Sequence, residues 1–248
     1  MFEVESGPNH PDAGLRVSVP VCGLGPADGD DLAAYDGDGR QLALLPLGRG
    51  PANRALALVR PERKTSRLYV YFGSKAPAPQ HKRAFVPTLT VDIRTLPDGP
   101  FNNWKQVEKL LSGSERIGLS FMDRIELAYN PVDSSDAFLM VFEGHLRIDR
   151  AGTYTYMLVS DDAGFVFVDD KLLLSRGGRQ YARTAARGEC LESVQLSAGT
   201  HAIRCVVVEA GGEQMALVGR WISGRKKHVL EADAFVQALT TDAASGQT

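Results

Sequence analysis

Gly152-Thr153-Tyr154-Thr155-Tyr156-Met157-Leu158-Val159-Ser160-Asp161-Asp162-Ala163-Gly164-Phe165-Val166-Phe167-Val168-Asp169-Asp170-Lys171 sets two apolar runs on either side of an aspartate pair and closes on a second pair. The runs are rich in aromatic and β-branched residues and are bounded by turn formers, which predicts two strands. Neighbouring side chains of a regular strand point to opposite faces. Asp161 and Asp162 therefore share one ligand only where the backbone kinks, bulges or passes through a cis peptide. A pair that converges makes a hard oxygen site, because two close carboxylates require a compensating cation or dense hydrogen bonding. Calcium, with its adaptable shell of roughly 6–8 oxygens, suits such a site better than zinc. In the second reading the two aspartates accept backbone N–H bonds and hold a turn.

The same rhythm extends outward in both directions. Phe138-Leu139-Met140-Val141-Phe142, His145-Leu146-Arg147-Ile148, Leu172-Leu173-Leu174, Ser193-Val194-Gln195-Leu196 and Ala202-Ile203-Arg204-Cys205-Val206-Val207-Val208 are apolar runs separated by glycine or aspartate turns. That spacing predicts an antiparallel sandwich. Short apolar runs before residue 75, around Val17, Leu44, Leu58 and Val70, predict a separate small β domain. Asp36-Gly37-Asp38-Gly39 supplies a tight turn there, since Arg40 stands where an EF-hand loop needs its third oxygen ligand. Between the halves, Lys75 to Arg83 carries two prolines and reads as an extended connector. A helix capped by Asn102 or Asn103 follows, with Trp104, Val107, Leu110 and Leu111 on one face, so Trp104 reads as a core anchor and not a sugar platform.

The expected fold is thus mainly β: two domains, antiparallel β-sandwiches, with one short helix between them. The expected boundaries are a loose lead-in at 1–13, a small β domain at 14–74, a linker with the helix at 75–114, the larger sandwich at 115–228 and a frayed tail at 229–248.

Composition excludes several classes. With 28 basic and 30 acidic side chains in 248 residues, no overall positive field exists to hold nucleic acid. No apolar run is long enough to span a membrane as a helix, and the acidic Met1 to Glu5 start shows no signal peptide in this chain. That fits either a cytoplasmic protein or a segment of a longer secreted one. Three cysteines are too few for a disulfide scaffold, and their spacing matches no zinc motif. Cys190 and Cys205 flank an expected hairpin near Ala198-Gly199, so a bridge between them and two buried free thiols are the two readings. Nucleophile elbow, phosphate-binding loop, dinucleotide fingerprint and paired-histidine motifs are all missing, and no catalytic function is expected.

Glu143-Gly144-His145-Leu146-Arg147-Ile148, Ala151-Gly152-Thr153-Tyr154-Thr155-Tyr156, Ser160-Asp161-Asp162, Val168-Asp169 and Leu196-Ser197-Ala198-Gly199-Thr200-His201-Ala202-Ile203 follow one another in an order that resembles the protective-antigen-14 family, over about Phe121 to Trp221. The resemblance implies a non-catalytic carbohydrate-binding or adhesion β-sandwich of an extracytoplasmic bacterial protein. In the family's sugar-binding adhesins the aspartate pair, matched by Asp161 and Asp162, is joined by a cis peptide and holds calcium that sugar hydroxyls also coordinate. This chain departs from the pattern at Ala163 and Asp170, where glycine is usual. The adhesins also place an asparagine ligand in a later loop, where this chain has Glu209, Glu213 and Gln214 as its side-chain oxygens. Gly14 to Ser74 bears a weaker likeness to a small β domain of bacterial envelope proteins.

The expected metal ligands are Asp161 and Asp162. The expected ligand-binding set adds Glu209, Glu213, Gln214 and Tyr181, the last offering an aromatic face to a sugar ring. Glycan or cell-surface polysaccharide is the expected partner. The alternative is a structural or protein-interaction module that contacts other envelope proteins without sugar or metal.

Overall fold

The computed structural model describes residues 2–4, 15–21, 31–50, 53–60, 68–73, 89–131, 136–181, 190–222, 226–230 and 234–235. They fall into two compact units, one within Met1–Pro87 and the other within Thr88–Val236. The expected extended connector and the residues up to 88, Cys22, and residues 231–233 and 236–248 of the expected tail lie outside the described residues. No described helix is long and apolar enough to cross a membrane.

The first unit is one six-stranded antiparallel sheet in the order β1 (Phe2–Val4), β6 (Leu68–Tyr71), β3 (Ala33–Asp36), β4 (Gln41–Gly50), β5 (Arg54–Arg60), β2 (Leu15–Pro20). Val17, Val19, Leu42, Ala57, Val59, Leu68 and Val70 supply its core. The lead-in expected at 1–13 contains β1, which lies against β6 with Phe2 opposite Val70. Three residues have too little periodicity to announce a strand; the partner strand supplies the pairing. The expected Asp36 turn is present. Asp36 Oδ1 accepts from the backbone N–H groups of Asp38 at 3.0 Å and Arg40 at 2.8 Å, and Gly39 takes φ of 78°.

The second unit is a two-layer sandwich. Its larger sheet runs β13 (Lys171–Arg176), β12 (Ala163–Val168), β15 (Gly199–Ala210), β10 (Ala137–Ile148), β7 (Thr90–Thr95), β8 (Arg116–Phe121). The smaller runs β14 (Leu191–Leu196), β11 (Gly152–Asp161), β16 (Met215–Ile222), β17 (Lys226–Val229), with β9 (Glu126–Leu127) also paired to β16.

Strand alternation explains the unbroken apolar run in β10. Phe138, Met140 and Phe142 face the interior between the sheets, while Leu139 and Val141 face the opposite side. That side is covered by α1 (Trp104–Ser112), whose Val107 and Leu110 are buried among Leu139, Phe165, Phe167, Val206 and Val208. A central strand buried on both faces reads as continuous hydrophobicity. The helix is held at its start by Asn103 Oδ1, which accepts from Gln106 N–H at 3.1 Å, while Gln106 Oε1 accepts from Asn102 N–H at 2.8 Å. Trp104 anchors it, its ring centroid 4.6 Å from Phe167 and 5.7 Å from Phe165.

Two placements correct the sequence reading. The helix does not stand between the domains, and 75–114 is not all linker: β7 lies in the larger sheet between β10 and the edge strand β8, with Asp92 opposite Val141. Its partner lies nearly fifty positions on, a pairing that local pattern does not reveal. Likewise β14 and β15 do not form a hairpin. β14 pairs with β11 and β15 with β10 and β12, so the chain crosses from sheet to sheet between Leu196 and Gly199. Cys190 and Cys205 therefore do not face each other across paired strands; both are free thiols, and burial pushes each upward in pKa. In the expected tail, Leu230 is buried and Phe235 bridges to Leu146.

One polar brace ties the sandwich's other turns together. Asp169 (φ 48°) and Asp170 (φ 60°) form the two-residue turn between β12 and β13, a left-handed pair that aspartate tolerates. Asp169 Oδ2 lies 2.6 Å from His201 Nδ1, and the Ser197 carbonyl lies 3.0 Å from Nε2. With acceptors on both ring nitrogens, His201 is held as the doubly donating cation, and its pKa is raised, first by the Asp169 hydrogen bond. A folded-state pKa above the unfolded value of about 6.5 gives stability that is complete below that pH and fades as pH rises through the folded value. We expect His201→Gln to lower Tm most at pH 5.5, with the gap to wild type narrowing by pH 9. Thermal melts across that range check this, and a gap that widens with pH would contradict the brace.

Candidate functional site

The aspartate pair sits where β11 passes from the smaller sheet and β12 begins in the larger. The Asp161–Asp162 peptide bond is cis. The Asp162 backbone is pinned on both sides: its N–H donates to Val208 C=O at 2.9 Å, and the Ser160 hydroxyl donates to the Asp162 C=O at 2.9 Å. Its carboxylate Oδ2 accepts from Ala210 N–H at 3.0 Å. Ala163 and Gly164, pressed against the opposite strand, leave little space. A Cβ on Gly164 would meet the Ser160 side chain at 2.8 Å.

Glu209 completes the group from the end of β15. It shares the strand face of Cys205 and Val207, which point into the sandwich interior, and it has no exposed surface. Asp161 and Asp162 are nearly as buried, at 4% and 3% exposure. Glu209 Oε1 accepts from Gly211 N–H at 2.9 Å, while Oε2 is buried without a hydrogen-bond partner. Burial pushes the Glu209 carboxyl up to about 8, the neighbouring charges of Asp162, Asp161 and Asp136 act in the same direction, and the Gly211 N–H opposes them.

The rim is built from loops. Gln214 donates from Nε2 to Asp136 Oδ1 at 3.4 Å, and Glu213 is exposed beside it. Tyr181 is 65% exposed after β13. The expected ligand set thus divides. Asp161, Asp162 and Glu209 are buried, the two aspartate charges acting on Glu209, while Gln214 bonds Asp136, and Tyr181 and Glu213 stand at the surface. Arg179, within the segment Gly177 to Arg183 expected to shape selectivity but not singled out there, has its Nη1 3.9 Å from Asp162 Oδ2. The turn signal Gly177-Gly178 before it marked the loop, but nothing local marked its partner.

Among the described residues no group of three or more His, Cys, Asp or Glu side chains is placed to hold a metal ion. The chemistry of the donors nevertheless fits a hard cation: they are all oxygens, the charges of Asp161 and Asp162 act on Glu209, and Glu209 Oε2 is buried without a hydrogen-bond partner.

Residues 122–231 match the PA14 domain, and this part of the chain is a PA14 domain. The first unit lies outside the matched residues. A solved structure described as a PA14 sugar-binding domain from an RTX adhesin is 15% identical, with a TM-score of 0.51 over 62% of this chain and 99% of that one. The PA14 domain of the MpAFP antifreeze protein gives the same identity and TM-score over 66% and 96%. At such identities the likeness establishes the fold. No curated protein matches the sequence.

Proposed function

We propose that the second unit is a non-catalytic carbohydrate-binding or adhesion module of an extracytoplasmic bacterial protein, with the glycan at the loop end and calcium held by Asp161 and Asp162. The observation that carries this reading is the buried carboxylate group with its unpartnered Glu209 oxygen. A buried oxygen without a hydrogen-bond partner is costly, and a cation that displaces the Glu209 proton would supply the missing partner. The sugar-binding description of the RTX adhesin domain supports the glycan part. Glu209 stands as the third oxygen donor, in place of the asparagine expected from the family resemblance. When bound, the ion supplies a Lewis-acidic point for sugar hydroxyls; Asp161 and Asp162 neutralise it, and Tyr181 offers a ring face at the rim.

Calorimetric titration of chelator-treated protein with calcium tests this. We expect binding with a rise in Tm, abolished in Asp161→Asn, and calcium-dependent retention on polysaccharide columns. Absence of both heat and stabilisation would remove the ion from the reading. The second reading, a structural or protein-interaction module of an envelope assembly, draws on a specific feature: Asp162 already accepts from Ala210 N–H and so holds a turn without any ion. Failure of sugar retention in every condition would favour it.

A further inference from the structure

Among the described ion pairs, the Asp162 carboxylate has one partner, Arg179. The pairing is loose. At 3.9 Å it is beyond hydrogen-bond reach, the Arg179 side chain is 68% exposed, and Asp162 Oδ2 is already engaged by Ala210 N–H. Most of the guanidinium's donor capacity therefore faces outward.

The loop that carries it is firmly seated. Gly178 N–H donates to Phe101 C=O at 3.0 Å, Gln180 Nε2 donates to Gly177 C=O at 2.8 Å, and Arg176 Nη2 donates to Gln180 Oε1 at 3.1 Å. Gly177 lies so close to the segment before α1 that a Cβ there would stand 2.0 Å from the Asn102 carbonyl oxygen. Arg179 and the exposed Tyr181 thus follow a braced turn whose glycines pack against Asn102, with Arg179 beside the Asp162 carboxylate.

A neutral sugar offers such a guanidinium only uncharged hydroxyl acceptors. A carboxylate matches its planar fork with two charge-assisted bonds, while an aromatic side chain two residues on can cover the apolar face of the ring. The exposed acids of this rim, Asp136 and Glu213, and the buried Asp161 and Glu209 oppose an anion. Arg179 is the cation that answers them, and its hold on Asp162 is weak enough to exchange.

We propose that Arg179 makes this a site for carboxylate-bearing saccharides, of the uronic or sialic acid class, by leaving Asp162 for the carboxylate of the ligand. The proposal rests on the glycan reading above and narrows it to a chemical class.

Calorimetry on the full chain with calcium present, using oligogalacturonate and sialyllactose beside neutral galacto-oligosaccharide and lactose, provides the test. Wild type should bind at least one acid about tenfold or more tightly than its neutral counterpart, the gain typical of hydrogen bonds to a charged group. Arg179→Gln should bring that ratio close to one, and Arg179→Lys, which keeps the charge without the fork, should restore part of it. Unchanged melting of Arg179→Gln would show that the loss is not unfolding; a large drop in Tm directs the comparison to Arg179→Lys alone. Equal binding of acid and neutral sugars by wild type, or a ratio that survives in Arg179→Gln, overturns the proposal and leaves the glycan reading standing. Binding of none of the four sugars, with no retention on any polysaccharide, overturns both.

Discussion

Phe165→Ala is expected to cost the second unit about 3–5 kcal/mol, the range for removing a fully buried aromatic side chain. Phe165 has no exposed surface, lies three residues past Asp162 and packs against Trp104 of α1 on the outer face of the larger sheet. The ring therefore joins the helix to the strand that leaves the aspartate pair. In a unit of this size the loss corresponds to a fall in Tm of roughly 10 °C, readable by calorimetry or circular dichroism. The effect should reach function below the melting temperature. The segment before α1 receives Gly178 N–H and abuts Gly177, so loosening the helix loosens the loop that carries Arg179 and Tyr181. A cost below about 1 kcal/mol would mean that the cavity collapses freely and that the helix is a passive cover.

Glu209→Gln should move stability and ion binding in opposite directions. In metal-free protein the folded state keeps the Glu209 proton to about pH 8, whereas an ordinary glutamate loses it near 4.5. Between those values the folded state binds more protons than the unfolded chain, so stability falls as pH rises through the window. Glutamine stays neutral throughout, and its amide can donate toward Asp161 and Asp162. The variant should therefore melt close to wild type at pH 5. At pH 9 it should melt above wild type by roughly 3–6 °C, the shift that 1–2 kcal/mol produces in a unit of this size. With calcium the order should reverse, because the variant has one charged oxygen fewer for the ion. Stability given up for a binding group is the signature of a functional residue. A variant that melts lower at both pH values, and binds calcium as wild type does, would make Glu209 a structural acid.

These two predictions divide along the line between what local sequence reveals and what it hides. Alternation and turn chemistry act over a few residues, which is why the strands about Asp161-Asp162, the Asp36 turn and the Trp104 helix face were all readable. The cis bond at Asp161–Asp162 was named as one way to bring the pair together and is present. Residues 90–95 illustrate the opposite case. As β7 they join the larger sheet because β10 and β8 accept them as a partner, yet their own pattern suggested only a connector. The expected hairpin between Cys190 and Cys205 failed for a related reason, since an apolar strand followed by a turn has two sheets to choose from in a sandwich.

The chain by itself thus determined that this protein is a mainly β molecule with a sandwich in its second half and an acidic pair at a strand boundary, because strand period, turn residues and the order of short motifs are written locally. Tertiary structure alone decided that Glu209 would be buried with an oxygen left unpartnered, and that Arg179 would reach Asp162 from a loop braced on the helix. Burial, desolvation and ion pairing depend on which distant strands close over a residue, and no spacing along the chain encodes that closure.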